Sequence, residues 1–112
     1  MCGIFGTFLI GDLDADVINR ARQATDALEH RGPDGRGDYI QASAGVYLGH
    51  RRLKIIDLSD QAHQPMVRDD VALSYNGEVY NFRDLRKRLE GCGYNFRSSG
   101  DTEVVLEAWR QW

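Results

Sequence analysis

MCGIFGTFLIGDLDADVINRARQATDALEH (residues 1–30) sets the fold class. Within it, GIFGTFLI (3–10) is a short apolar run, rich in Phe and Ile, that stops at Gly11-Asp12 and predicts a buried strand. Residues 15–29 then place Val17, Ile18, Ala21, Ala24, Thr25 and Leu28 at helical spacing, with Asp14 or Asp16 available as the N-cap. A strand followed directly by an amphipathic helix is the opening of a mixed protein. Beyond it, RGPDGRGD (31–38) predicts a loop, and residues 39–43 and 45–56 predict two strands joined near Ala44-Gly45. DLSDQAHQP (57–65) is polar, and VALSY (71–75) predicts a strand ending at Asn76-Gly77. Asn81 is placed to cap a helix carrying Phe82, Leu85 and Leu89, closed by the glycines at 91 and 93. YNFRS (94–98) predicts a short strand, and Asp101 or Thr102 opens a last helix with Val105, Trp109 and Trp112 on one stripe. Strand, helix, several strands, helix, strand, helix fits α+β better than a βαβ repeat.

The 112 residues support one domain. Aromatic residues at 10% and a net charge of -3 argue against a disordered chain. No apolar run approaches the roughly 20 residues that span a bilayer, and the N-terminus lacks the basic flank of a signal peptide. With only Cys2 and Cys92, a disulfide scaffold is excluded, so a cytoplasmic protein with reduced cysteines is expected. A pI near 5.5 removes the electrostatic case for nucleic acid or an anionic membrane. The basic residues between Phe82 and Arg97 are explained by a solvated helix face.

Several residues could carry chemistry. Cys2 either begins a strand or, once Met1 is removed, becomes an N-terminal nucleophile. Its α-amine, with an ordinary pKa of about 7.7–8.0, could then act as general base. Asn76-Gly77 is the dipeptide of a tight hairpin turn; a side-chain amide beside a glycine N–H is also an oxyanion hole. Arg51-Arg52 lies on a solvated strand face or offers a guanidinium to a carboxylate. Asp101 is a helix cap or a partner for an ammonium group. RGPDGRG lacks the phosphate-loop pattern, and His30, His50 and His63 have no metal-ligand spacing, so no metal site is expected.

MCGIFG at the start, HRGPDG (30–35), HRRLKIIDLSDQAHQPM (50–66), YNGEVYN (75–81) and SGDTE (99–103) follow one another along the whole chain. In order and spacing they resemble the N-terminal glutaminase domain of glutamine-dependent asparagine synthetases, a class II (type-2) glutamine amidotransferase with an N-terminal nucleophile. HRGPDG and the RLxIxDLS-type segment favour that branch over glucosamine-phosphate synthases and phosphoribosyl amidotransferases. The resemblance implies an N-terminal-nucleophile hydrolase αββα sandwich with mainly antiparallel sheets. It makes Cys2 the nucleophile on the glutamine side-chain amide, with Asn76 and Gly77 holding the oxyanion. Arg52 would grip the α-carboxylate, main-chain groups of Leu53, Lys54, Ile55 and Ile56 would line the pocket, and Glu78 and Asp101 would hold the α-ammonium. One departure is QAHQPM, where the family has a glycine in place of Ala62 and His63 is also atypical. It reads as local loop variation with no bearing on the nucleophile.

The expected reaction is glutamine hydrolysis through a Cys thioester, with the ammonia amidating an ATP-activated aspartate. In the family the glutaminase domain continues past Trp112 into further strands, and a synthetase domain follows that binds ATP and magnesium. Residues 1–112 thus correspond to the N-terminal portion of the glutaminase domain, with no cofactor of their own. Glutamine is the expected partner, the aspartate acceptor belongs to the other domain, and a homodimer is compatible with the family. An amidotransferase for another carboxylate, such as a sugar acid in surface polysaccharide synthesis, is the alternative; a non-catalytic binding module is a second. Without the family's further strands, sheet edges and one apolar face would be left uncovered, so this segment alone is expected to self-associate or to remodel its core, with Trp109 or Trp112 at a contact or exposed. With Met1 ahead of Cys2, it is not expected to turn over glutamine.

Overall fold

The computed structural model describes residues 1–112. Its central strand, β3 (Val46–Arg52), pairs antiparallel with β1 (Gly3–Phe8) on one side and β2 (Gly35–Gln41) on the other. The register sets Gly3 opposite Arg51 and Gly35 opposite Arg52. Cys2 therefore enters the sheet at the end where β3 releases the chain into residues 53–65.

Successive residues of a strand face opposite sides, and β3 divides its functions accordingly. Tyr47, Gly49 and Arg51 face the side covered by α1 (Ala15–Asp26). There the Tyr47 hydroxyl lies 3.0 Å from Thr25 Oγ1, and Arg51 Nη2 lies 3.0 Å from Glu29 Oε1. A Cβ at Gly49 would fall 2.0 Å from Thr25 Oγ1, so only glycine lets helix and strand approach this closely. Leu13, Ala21 and Tyr47 form the apolar core, with Phe5, Val17, Ile18 and Ile40 packed on them.

His50 and Arg52 point the other way. His50 reaches Ser74, just past a hairpin of β4 (Met66–Arg68) and β5 (Val71–Leu73) that turns through Asp69 at φ 49. Behind this hairpin lies α3 (Asp101–Gln111), joined to it by Arg68, which pairs with Glu103 and Glu107; α2 (Phe82–Gly91) packs beside α3. Helix, sheet, sheet, helix is the layer order of an αββα sandwich, in an α+β chain whose sheets are antiparallel. No helix is long and apolar enough to cross a membrane.

Several expected elements are corrected. β1 ends at Phe8 rather than Ile10 and is an edge strand: Ile4 and Phe8 are exposed, and the Leu9 amide turns to the Gly45 carbonyl at 2.9 Å. Asp14, one of the two expected caps, does cap α1 by accepting from the Val17 amide at 2.8 Å, but the helix stops at Asp26 before a tight turn at Glu29–Arg31. β2 begins at Gly35, inside the expected loop. Gly37 is needed there for clearance, since a Cβ would come 2.2 Å from the Gln64 carbonyl oxygen. β3 ends at Arg52, not Ile56, β5 stops at Leu73 rather than Tyr75, and β4 was not expected.

Residues 94–98 form no strand. The Arg97 and Ser98 amides donate instead to the Glu103 carboxylate, at 3.0 and 2.7 Å. Asn81 occupies the N-cap position of α2 without a capping side-chain bond, and the N-cap of α3 is Gly100. The Val105–Trp109–Trp112 stripe is not the buried face of α3 either. Val104 and Leu106 are fully buried with Glu103 and Glu107, while Trp109 and Trp112 are exposed. The two glutamates are drawn inward by Arg68, an ion-pair contribution that apolar periodicity does not register.

Candidate active site

Where β1 begins and β3 ends, residues 52, 53, 55–57, 75–78, 80 and 100–102 line a cavity of about 360 Å³. Cys2, Arg52, Leu53, Ile55, Ile56, Asn76, Gly77, Glu78 and Asp101 all lie in its wall. Of the residues assigned from sequence, only Lys54 stands outside: its amide donates to Asp34 at 3.0 Å and its ammonium faces Asp60 at 3.7 Å. Asn76-Gly77 is not a hairpin turn, because the hairpin of this sheet is β4–β5. A Cβ at Gly77 would fall 2.6 Å from the Tyr75 hydroxyl, so the Tyr75 side chain lies close against this peptide and leaves room only for glycine.

The sulfur is held by main chain. The Leu53 amide donates to Cys2 Sγ at 3.2 Å, Sγ lies 3.6 Å from the Leu53 carbonyl, and Arg31 Nε donates to the Cys2 carbonyl at 3.2 Å. Met1 is exposed and forms part of the same wall. Its removal would therefore free the Cys2 amine into the cavity.

Charge in the cavity is of both signs. Arg52 is buried, donating from Nη1 to the Ser59 carbonyl at 2.8 Å and from Nη2 to the Asp57 carbonyl. A guanidinium has five N–H donors, so others stay free. Asp101 accepts from the Val79 amide at 2.9 Å. None of Arg52, Glu78 and Asp101 takes part in an ion pair with another side chain. Burial, together with the negative charges of Asp101 and Glu78, raises the Tyr75 hydroxyl above its usual range. Arg52, Glu78 and Asp101, each without an ion-pair partner in one cavity, suit a zwitterionic ligand. Arg51, the neighbouring candidate, is on the other side of the sheet with Glu29 and Asp26 at 3.0 and 3.8 Å, a fold contact.

The sequence reading missed four wall residues of consequence: Asp57, Gln64, Tyr75 and Thr102. Gln64 accepts from the Tyr75 amide at 2.6 Å and donates to Thr102 at 3.4 Å, tying the end of β5 to α3. Ala62, in place of the family's glycine, is buried in the wall, so this loop variation faces the cavity rather than solvent. The Asp57 signal was present as Asp-x-Ser, a pattern in which a carboxylate accepts from the amide two residues on. No group of three or more His, Cys, Asp or Glu is assembled that could hold a metal ion.

His50 gives the site region a pH response. It is fully buried, with Nδ1 3.0 Å from Ser74 Oγ and Nε2 without a protein partner. Burial, then the positive charges of His63 and Arg52, push its pKa down to about 4. An unfolded histidine titrates near 6.5, so between pH 6.5 and 4 the unfolded chain binds the extra proton. Stability therefore falls as pH falls through that window, by about 3 kcal/mol at roughly 1.36 kcal/mol per unit. The melting temperature is expected to drop between pH 6.5 and 4, with a flatter profile in His50→Gln. An identical slope in that variant would assign the effect elsewhere.

A profile of the glutamine amidotransferase domain family matches residues 1–112. The chain is 38% identical to the glutamine-hydrolysing asparagine synthetase 1 of Bacillus subtilis, with all of the chain aligned against 18% of that protein. It is 36% identical to asparagine synthetase B of Escherichia coli, with 99% of the chain against 20% of the protein. Asparagine synthetase 1 of Arabidopsis thaliana is 35% identical, with 100% against 19%. A matched chain from end to end, a cysteine one residue ahead of the first strand and a cavity of mixed charge around it agree with one another: this chain belongs to the glutamine amidotransferase domain family.

Proposed function

We propose that residues 1–112 are the glutamine-binding and hydrolysing portion of a cytoplasmic, glutamine-dependent asparagine synthetase. The observation that carries this reading is the cavity itself: Cys2, Asn76, Arg52, Glu78 and Asp101 share one wall. An α-amino acid with a side-chain amide presents groups complementary to these.

Once Met1 is removed, the Cys2 α-amine accepts the thiol proton. Sγ then attacks the side-chain carbonyl carbon of glutamine, and the oxygen takes the negative charge facing Asn76 and the Gly77 amide. Collapse of this intermediate breaks the C–N bond. The Cys2 ammonium returns its proton to the leaving nitrogen, so ammonia departs and a thioester remains. A water, deprotonated by the same amine, cleaves the thioester to glutamate and restores the thiol. Arg52 holds the α-carboxylate throughout, and Glu78 and Asp101 hold the α-ammonium.

ATP and magnesium would supply an activated aspartate carboxylate in a separate synthetase domain. The residues present here do not fit that role: Gly35 and Gly37 pair in β2 rather than forming a phosphate loop. No feature of the chain favours a sugar-acid acceptor or a non-catalytic module.

Glutamate release by the full-length protein, and its loss in Cys2→Ala, test the reading. Arg52→Lys tests the orientation of the substrate. Lysine keeps the charge but has no planar fork, so the glutamine KM is expected to rise by roughly tenfold or more. Thermal stability serves as control. An unchanged KM would remove Arg52 from the substrate.

A further inference from the structure

We propose that Asp57 is a positioning residue for glutamine: a buried carboxylate that fixes Arg52 and the start of α3 in one frame, so that both ends of the amino acid are gripped at a set spacing. This rests on the glutaminase reading above.

Asp57 is 7% exposed, lies in the cavity wall and has no cation paired with it. Its oxygens are instead saturated by two serines far apart in the chain. Oδ1 accepts from the Ser59 amide at 2.8 Å and the Ser59 hydroxyl at 2.6 Å. Oδ2 accepts from the Ser99 amide at 2.6 Å and the Ser99 hydroxyl at 3.0 Å. Burial works against the charged form, and these four bonds overcome it, holding the carboxyl well below its usual range.

Each oxygen serves one end of the ligand. The Oδ1 bonds close the turn 57–59, and both main-chain carbonyls that receive Arg52, those of Asp57 and Ser59, belong to that turn. The Oδ2 bonds fix Ser99, two residues before Asp101. A Cβ at the intervening Gly100 would lie in ordinary contact with the Asp57 Cβ, at 3.6 Å. With both oxygens filled, Asp57 does not itself grip an ammonium group. It acts through Arg52 and Asp101. Glu103 is the natural control, because it braces residues 97–98 in a similar way but stands outside the cavity wall.

The experiment is steady-state glutamate release by the full-length protein, with synthesis from ammonium salt measured in parallel. In Asp57→Asn the amide group would face the donors of one serine, and one end of the frame is released. Contacts to the two α-substituents hold ground state and transition state alike, so their loss raises KM and leaves kcat nearly unchanged. The expected result is a glutamine KM raised roughly tenfold or more with kcat within about threefold. Ammonium-dependent synthesis stays unchanged. Glu103→Gln is expected to lower the melting temperature with KM within about twofold of wild type.

4-Aminobutanamide, which lacks the α-carboxylate, supplies a second readout. Wild type is expected to discriminate strongly against it, and Asp57→Asn is expected to lose most of that discrimination because Arg52 is already misplaced. If Asp57→Asn does not fold, Ser99→Ala carries the test, with KM raised about threefold at unchanged kcat. A lower kcat at unchanged KM in either variant, or full discrimination retained, overturns the proposal and makes Asp57 a brace of the fold. A wild-type protein that releases no glutamate from glutamine overturns the glutaminase reading as well; release by wild type alongside an unchanged KM in Asp57→Asn overturns this inference alone.

Discussion

Replacing Cys2 by alanine is expected to abolish glutamate release from glutamine while synthesis from ammonium salt continues. The proposed nucleophile has no cysteine substitute in the cavity, since Cys92 lies outside the wall and is exposed. Removing the nucleophile of a well-studied hydrolase costs about six orders of magnitude in kcat, and a loss of that order would bring glutamine turnover to background. The fold should tolerate the change. Alanine removes one sulfur contact with the Leu53 amide and leaves the Arg31 bond to the Cys2 carbonyl in place. Melting temperature and glutamine binding by calorimetry are the controls, and both are expected to stay near wild type. Retained glutamate release would place the chemistry on another residue. Simultaneous loss of ammonium-dependent synthesis would mean that Cys2 supports the wider fold.

Sequence reading reached the site further than it reached the sheets, for physical reasons. Cys2, Arg52, Asn76, Gly77 and Asp101 lie far apart in the chain, and motif order connected them; local pattern alone left each with a plain structural alternative. Arg51 and Arg52 show the limit. Adjacent strand residues face opposite sides, but nothing local says which arginine meets α1 and which meets the cavity. β1, α1 and α2 follow from apolar periodicity and turn signals, which act over a few residues.

β2 did not follow, because Gly35 and Gly37 carry the statistics of a turn, while both pair in the sheet and Gly37 is there for clearance. Gly37 gives room to the Gln64 carbonyl, which arrives from a loop over twenty residues away. The expected strand at 94–98 failed for a related reason. A carboxylate on the next helix satisfies the Arg97 and Ser98 amides that a neighbouring strand would otherwise have paired. Asp57 was passed over because an aspartate in a polar stretch looks like an ordinary turn former. Its importance lies in Ser99, forty-two positions later.

The second large effect is expected at Asn76. If its side-chain amide faces the developing oxyanion together with the Gly77 amide, Asn76→Ala removes one of two donors. A single such donor is worth about 2.7–4 kcal/mol, or roughly 100- to 1,000-fold in kcat. The contact strengthens as charge develops on the oxygen, so the loss should fall on kcat with the glutamine KM nearly unchanged. That split separates Asn76 from Arg52, whose loss is expected in KM. Asn76→Asp should be at least as damaging, because an ionised carboxylate offers no donor and repels the oxyanion. The local structure should survive either change, since the neighbouring Tyr75 amide is held by Gln64. Ammonium-dependent synthesis, which makes no oxyanion here, should be unaffected in both variants. A kcat within about tenfold of wild type in Asn76→Ala would remove the side chain from the oxyanion hole. A rise in KM at unchanged kcat would instead make it a contact of the bound substrate.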